Sequence, residues 1–243
     1  MRNYSFIPLK AEDILEPFTA VYASQVEKRG GTYIPDEMTS ANIHAVVKWL
    51  TDPERKPGLI LYGNQPGTGK TTMAHTIAQV LYKDAYSWIR DAFDERFQEI
   101  EYKRYADEFR DQREEIGKEA DALDKEFRAK MAVIKEPTFI TALYLANLAK
   151  KENADLSNLA NKTSTPFLLI DDIGTEPIEV RCYGNRILPF VDLFSLRYNL
   201  MLPTVITTNL GDRGISDYYG PRIADRITEL CDKIAFNGSS FRK

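Results

Sequence analysis

Cysteine is nearly missing from this chain of 243 residues: only Cys182 and Cys231 occur. They lie far apart with no paired spacing, which excludes a disulfide framework or a zinc site and suits a reducing compartment. Histidine is equally scarce, and His44 and His75 lack the spacing of metal ligands. No apolar run is long enough to cross a bilayer, and the N-terminal stretch MRNYSFIPLKAEDILEPF has no apolar core of the signal-peptide kind. The expectation is a cytoplasmic protein with no membrane part. Positive charge is not in excess either: the net charge is -4. The protein as a whole therefore does not attract polyanions, and any nucleic-acid contact needs a local patch.

Apolar residues, by contrast, are plentiful at 43%. A chain of this length can bury a full core, and fits one α/β domain with extensions better than two independent domains. Five apolar or β-branched runs read as strands: Leu59 to Tyr62, Thr138 to Thr141, Phe167 to Ile170, Thr204 to Thr208 and Ile234 to Phe236. Several are apolar throughout, as strands covered on both faces are. Helix-period segments lie between them, for example Ala74, Ile77, Ala78 and Leu81, so a doubly wound parallel sheet of about five strands is predicted.

Two segments stand outside that alternation. Ile14, Leu15, Phe18, Val21, Tyr22 and Val26 define one face of a helix that ends by Gly30 and Gly31. This N-terminal helical segment, 1–41, either packs on its own core or docks a partner. The second segment, about 84–136, is rich in charge and holds a single glycine, Gly117, with no proline before Pro137. Its apolar residues, from Ile89 through Phe93, Phe97 and Ile100 to Leu123, Phe127 and Met131, recur mostly at intervals of three, four or seven. That spacing predicts one long helix, of roughly 75 Å at 1.5 Å per residue, or a helical hairpin. Either is an insertion into a domain spanning 42–243, as a solvated surface or an interaction arm.

The strongest chemical signal is Asn64-Gln65-Pro66-Gly67-Thr68-Gly69-Lys70-Thr71-Thr72, which follows the first strand and opens a helix. In such a P-loop the glycines let backbone N–H groups turn towards phosphate oxygens, Lys70 neutralises the outer phosphates and the Thr71 hydroxyl ligates Mg²⁺. One departure from G-x-x-x-x-G-K-T is visible. Asn64 stands at the first glycine, with Gly63 one place early, and asparagine's tolerance of positive φ is expected to let the loop form. The apolar strand Phe167 to Ile170 ends in Asp171 and Asp172. That is a Walker B arrangement, with Asp171 in the magnesium shell and Asp172 orienting the attacking water. Thr204 to Thr208 leads to Asn209, an amide at the carboxyl edge of the sheet that can hydrogen-bond the water or the γ-phosphate, or else simply serve the turn before Gly211. Arg222 and Arg226 are spaced i and i+4 on one helix face, where a guanidinium can stabilise a transferring phosphoryl group, in its own or a neighbouring subunit, or pair with Asp225 or Glu229.

The set GNQPGTGKTT, LLIDDIGTEP, VITTN and YGPRIADRI, followed by FNGSSFR, resembles the DnaC/IstB-type AAA+ ATPases, bacterial helicase loaders and their transposon helper relatives. The likeness covers roughly 42–82 and 138–243. It implies ATP and Mg²⁺ as cofactors and slow, partner-regulated hydrolysis in DNA replication. Asn209 is then the sensor, and Arg226, with Arg222 next in line, the arginine finger. It also implies an AAA+ fold without a C-terminal lid domain, a homo-oligomer when ATP is bound, single-stranded DNA as a ligand, and a replicative helicase or a transposase as partner. The segment before residue 42 and the insertion 84–136 depart from the family pattern. The alternative of another class is a small-molecule kinase on the same scaffold, which needs an acceptor pocket and usually a mobile basic lid, where this chain has two carboxylates after the third strand, a polar sensor position and a late pair of arginines.

Overall fold

A computed structural model of the chain describes residues 5–151 and 156–237, so Gly238 to Arg242 of the FNGSSFR end lie outside the described residues. Ile14, Phe18 and Tyr22 recur every helical turn, and burying that stripe makes α1 (Ala11–Lys28) a core element. The helix stops at Gly30, whose φ of 79° suits glycine. Asp36 then caps α2 (Glu37–Thr51), accepting from the Thr39 N–H at 2.8 Å. A cap of this type contributes about 1 kcal/mol.

Five parallel strands form the sheet: β1 (Gly58–Tyr62), β2 (Pro137–Thr141), β3 (Phe167–Ile173), β6 (Thr204–Thr208) and β7 (Cys231–Ala235), in the order β2-β3-β6-β1-β7. Successive side chains on a strand face opposite sides, and here both sides are covered. Leu59, Leu61, Phe167, Leu169 and Val205 join one core, with α1, α2, α3 (Lys70–Gln79), α4 (Ala85–Tyr105) and α5 (Arg113–Val133). Ile60, Leu168, Ile170 and Ile206 join the other, with α6 (Ala142–Leu148), α7 (Pro189–Asn199), α8 (Asp212–Tyr219) and α9 (Pro221–Leu230). The uninterrupted apolar strands of the sequence are therefore two interleaved faces, and the doubly wound α/β fold stands.

Three boundaries differ from expectation. β7 starts at Cys231, three residues before Ile234, because an edge strand can carry Asp232 and the exposed Lys233 among its residues. β3 continues past the apolar run through Asp171 and Asp172 to Ile173. A small antiparallel hairpin, β4 (Val180–Cys182) with β5 (Asn185–Ile187), turns at Tyr183 and Gly184 with φ of 50° and 80°.

The charged insertion is a hairpin, not a single long helix. α4 and α5 pack on one another through Phe93, Phe97 and Phe127, whose rings lie 5.4 to 6.1 Å apart in the pairs they form. The chain reverses at Ala106 and a 3-10 segment, Asp107–Gln112, rather than at Gly117, which lies inside α5 with open space around it. The base of the hairpin belongs to the core: Ala85, Ile89 and Phe93 are buried, and the Lys130 ammonium donates to the Pro8 carbonyl at 3.1 Å. At that base α3 runs into α4 through a π-helical turn, Val80–Asp84, with right-handed helical dihedrals at both of its ends.

Candidate functional site

Because β6 lies between β1 and β3, the segments that leave the carboxyl ends of these strands meet at one edge. The loop from Gly63 to Gly69 leaves β1 and ends at the N-terminus of α3. Gly67 and Gly69 have φ of 82° and 95°, a region where a side chain is strained. Gly63 is required for another reason: a Cβ there would lie 2.2 Å from the Phe236 carbonyl oxygen, beside the strand end where Phe236 N–H bonds Tyr62 O at 2.7 Å. Asn64 is exposed and does not have positive φ, so the tolerance expected of asparagine is not used. Its position demands no left-handed backbone. Gln65 and Pro66 are exposed and Thr68 is buried. The Lys70 ammonium, itself buried, donates to Gly63 O at 3.1 Å, Gln65 O at 2.9 Å and Thr68 Oγ1 at 3.2 Å. These three bonds hold the lysine inside the loop. Thr71 and Thr72 follow on the first turn of α3, both half-buried.

Across β6, the pairing of β3 is irregular. Ile170 is in register with Ile206 and Ile173 with Thr208, so two residues, Asp171 and Asp172, stand opposite Thr207 alone. Such a bulge re-aims side chains. Asp172 sits at φ 64°, while Asp171 stays buried. One hydroxyl fastens both: Thr207 Oγ1 accepts from the Asp172 N–H at 2.8 Å and donates to Asp171 Oδ1 at 2.6 Å. Asn209 Nδ2 donates to Asp172 Oδ1 at 3.2 Å, which leaves Asn209 Oδ1 buried without a protein partner among the described residues. An orphaned buried acceptor of this kind is a seat for a water or a ligand donor.

The two arginines lie apart from this cluster. Arg222 is exposed on the first turn of α9 and makes no hydrogen bond or ion pair among the described residues. Arg226 is half-buried against α7, donating to Ser195 Oγ at 2.6 Å with its guanidinium 4.9 Å from the Tyr198 ring centre. Asp225 and Glu229 are not its partners; Glu229 instead accepts from the Tyr198 hydroxyl.

Sequence reasoning missed several residues here. Thr207 was legible only as one more β-branched strand residue. Glu176, in the turn after β3, is 1% exposed and accepts from the Gly174 N–H at 2.9 Å and from the Tyr219 hydroxyl. Burial, then the Glu176 hydrogen bond, pushes the Tyr219 phenol well above its ordinary pKa. Arg197 is fully buried, bonding Thr204 Oγ1 and the carbonyls of Leu159, Thr165 and Pro203, and burial lowers its pKa to about 9. It ties α7 to β6 and carries no site chemistry. His75, on α3, stacks on Phe139 with ring centres 4.1 Å apart. Its pKa is lowered by desolvation first and by Arg29 second, against an opposing pull from Asp171. Cys231 is buried against Gly58, and desolvation raises its thiol to about 12, so it is inert.

These residues fit a magnesium nucleotide. The glycine-opened loop leaves the N-terminus of α3 without a side-chain cap, a ready site for an anion, the buried Lys70 ammonium donates to three loop oxygens, and Asn209 Oδ1 has no protein donor among the described residues. No group of three His, Cys, Asp or Glu able to hold a metal by itself occurs among the described residues. No helix of the described residues is long and apolar enough to cross a membrane. No protein-family model matches the chain, and no curated protein does. Among solved structures the chain is similar to one titled "Crystal Structure of the DnaI", with 15% sequence identity and a TM-score of 0.49, over 89% of this chain and 93% of that one.

Proposed function

We propose that this protein is an ATP-binding and ATP-hydrolysing AAA+ switch of the DnaC type, acting in DNA replication as a helicase loader. The observation that carries the chemistry is the bulge in β3, which presents Asp171 and Asp172 under one threonine hydroxyl across β6 from a lysine-centred P-loop. Asn64 to Thr72 hold the nucleotide, with Lys70 against the outer phosphates; Thr71 and Asp171 hold Mg²⁺. Bound MgATP supplies the electrophilic γ-phosphorus and its leaving group. Asp172 orients the attacking water, and Asn209, hydrogen-bonded to Asp172, holds that carboxylate and contacts the water or the γ-phosphate. Arg226, with Arg222 one turn earlier, completes the site of a neighbouring subunit, so ATP favours the homo-oligomer. The motif resemblance adds single-stranded DNA and a replicative helicase as partners, in the cytoplasm.

Binding of a fluorescent ATP analogue to Lys70→Ala and Asp172→Asn tests the reading. Lys70→Ala is expected to lose detectable binding, while Asp172→Asn keeps it and loses hydrolysis. Binding by Lys70→Ala equal to the parent's would overturn the assignment.

A further inference from the structure

Two stretches far apart in sequence, the turn after Asp172 and the end of α8 before the arginine helix, are stitched together by buried polar groups that the proposed chemistry does not use. Glu176 Oε2 accepts from the Gly174 N–H at 2.9 Å, and Oε1 accepts from the Tyr219 hydroxyl. The Tyr219 oxygen also accepts from that same N–H at 2.7 Å, so carboxylate, phenol and amide close a triangle. Beside it the Tyr218 hydroxyl donates to the Glu176 carbonyl. The turn is pinned at its other end by the Thr175 hydroxyl on Asp172 O at 2.7 Å, and Gly174 is pressed on Leu210, which a Cβ would approach to 2.6 Å.

The triangle is costly as mere packing. A carboxylate only 1% exposed normally requires a cation, and Glu176 has no ion pair among the described residues. Fully hydrogen-bonded buried networks rigidify the groups they join. What this one fixes is the turn after β3 against the end of α8. Glu176 is four residues from Asp172. Tyr219 is three from Arg222, across Gly220, whose φ of 89° and open surroundings make it the pivot between α8 and α9.

We propose that Glu176 and Tyr219 are a positioning pair that locks the arginine-bearing helix α9 to the strand end carrying Asp171 and Asp172. The pair thereby transmits the state of the nucleotide site to the surface offered to a neighbour; this part rests on the ATPase reading above. The pair touches neither nucleotide nor water and acts through the residues it holds.

The test compares Tyr219→Phe and the isosteric Glu176→Gln with the parent, first without nucleotide, by hydrogen exchange. Ile223 and Ala224 donate to Gly220 O in the first turn of α9. Their amides and that of Gly174 are expected to exchange about tenfold faster or more in either variant, with β1 and β6 unchanged. Hydrolysis is then expected to fall about tenfold or more while ATP affinity stays within about twofold, the signature of lost positioning. Unchanged exchange, or a rise spread evenly over the sheet, overturns the proposal, and so does a local rise with hydrolysis intact. If the parent itself neither binds nor hydrolyses ATP, the ATPase reading fails, and the exchange pattern still decides whether the pair locks α9. Should Tyr219→Phe not fold, Glu176→Gln carries the test, since it keeps side-chain shape while replacing one of the two accepting oxygens with a donor.

Discussion

At the scale of the residue, most of the weight falls on one hydroxyl. Thr207 is the sole side chain opposite both carboxylates of β3, serving one as donor and the other's backbone as acceptor. Thr207→Val keeps the shape and leaves a part-buried Asp172 N–H and the buried Asp171 Oδ1 without this partner, so a loss of about 1–3 kcal/mol in urea unfolding is expected. Hydrolysis should fall at least about tenfold, with Thr207→Ser restoring much of it; a fully active valine variant would remove Thr207 from the site. His75 gives a pH signature. Its folded-state pKa lies below 6.5 through desolvation and Arg29, so the neutral ring is favoured in the fold. Its contribution is full above the unfolded pKa and is lost as pH falls below about 6.5, where the unfolded chain gains protons. The stability difference between the parent and His75→Gln should therefore shift against the parent between pH 7 and 5, and a pH-independent difference would contradict this. At this scale the sequence was partly legible. Lys70, Asp171, Asp172 and Asn209 could be singled out as candidates because motif spacing marks them, and the sheet order brings the strands they follow or end side by side. Thr207 and Glu176 were not, since their roles come from a register shift and a tertiary contact that no local pattern encodes.

At the scale of the element, the strands were readable because burial on both faces forces apolar runs, and β7 was read short because an edge strand tolerates charge. The insertion was read as helical from its periodicity, but the reversal at Ala106 was not legible, since that turn holds neither glycine nor proline. Its distal part packs chiefly on itself, with exposed ion pairs such as Arg96 to Glu126 at 2.9 Å that contribute about 0–1 kcal/mol. Replacing Gln98 to Glu126 by a short Gly-Ser loop keeps Phe93, Phe97 and Phe127 at the base. ATP binding and a cooperative unfolding transition are expected to persist, because closing a loop of different length costs little. An insoluble product, or one that unfolds without a cooperative transition, would make the distal hairpin part of the core.

At the scale of the whole molecule, assembly separates the two arginines. Arg226→Ala loses the Ser195 bond and the Tyr198 stack within its own chain, so its Tm should drop by a few degrees for about 1 kcal/mol, whereas Arg222→Ala leaves Tm unchanged. Both should bind ATP when dilute. Mixed with Lys70→Ala, which keeps its arginines, an Arg226→Ala subunit keeps its P-loop and should regain part of the hydrolysis at the shared interface. An inactive mixture in which light scattering shows mixed oligomers would dismiss the finger in trans. One feature of the fold gives such assemblies reach. From Lys70 to Tyr105 the chain is helical throughout, α3 running through the π turn into α4, so a continuous helical path of roughly 50 Å joins the loop before α3 to the hairpin tip. Geometry then acts as gearing: over that length a tilt of about 5° at the loop moves the tip by roughly 4 Å, about three-quarters of a helical pitch.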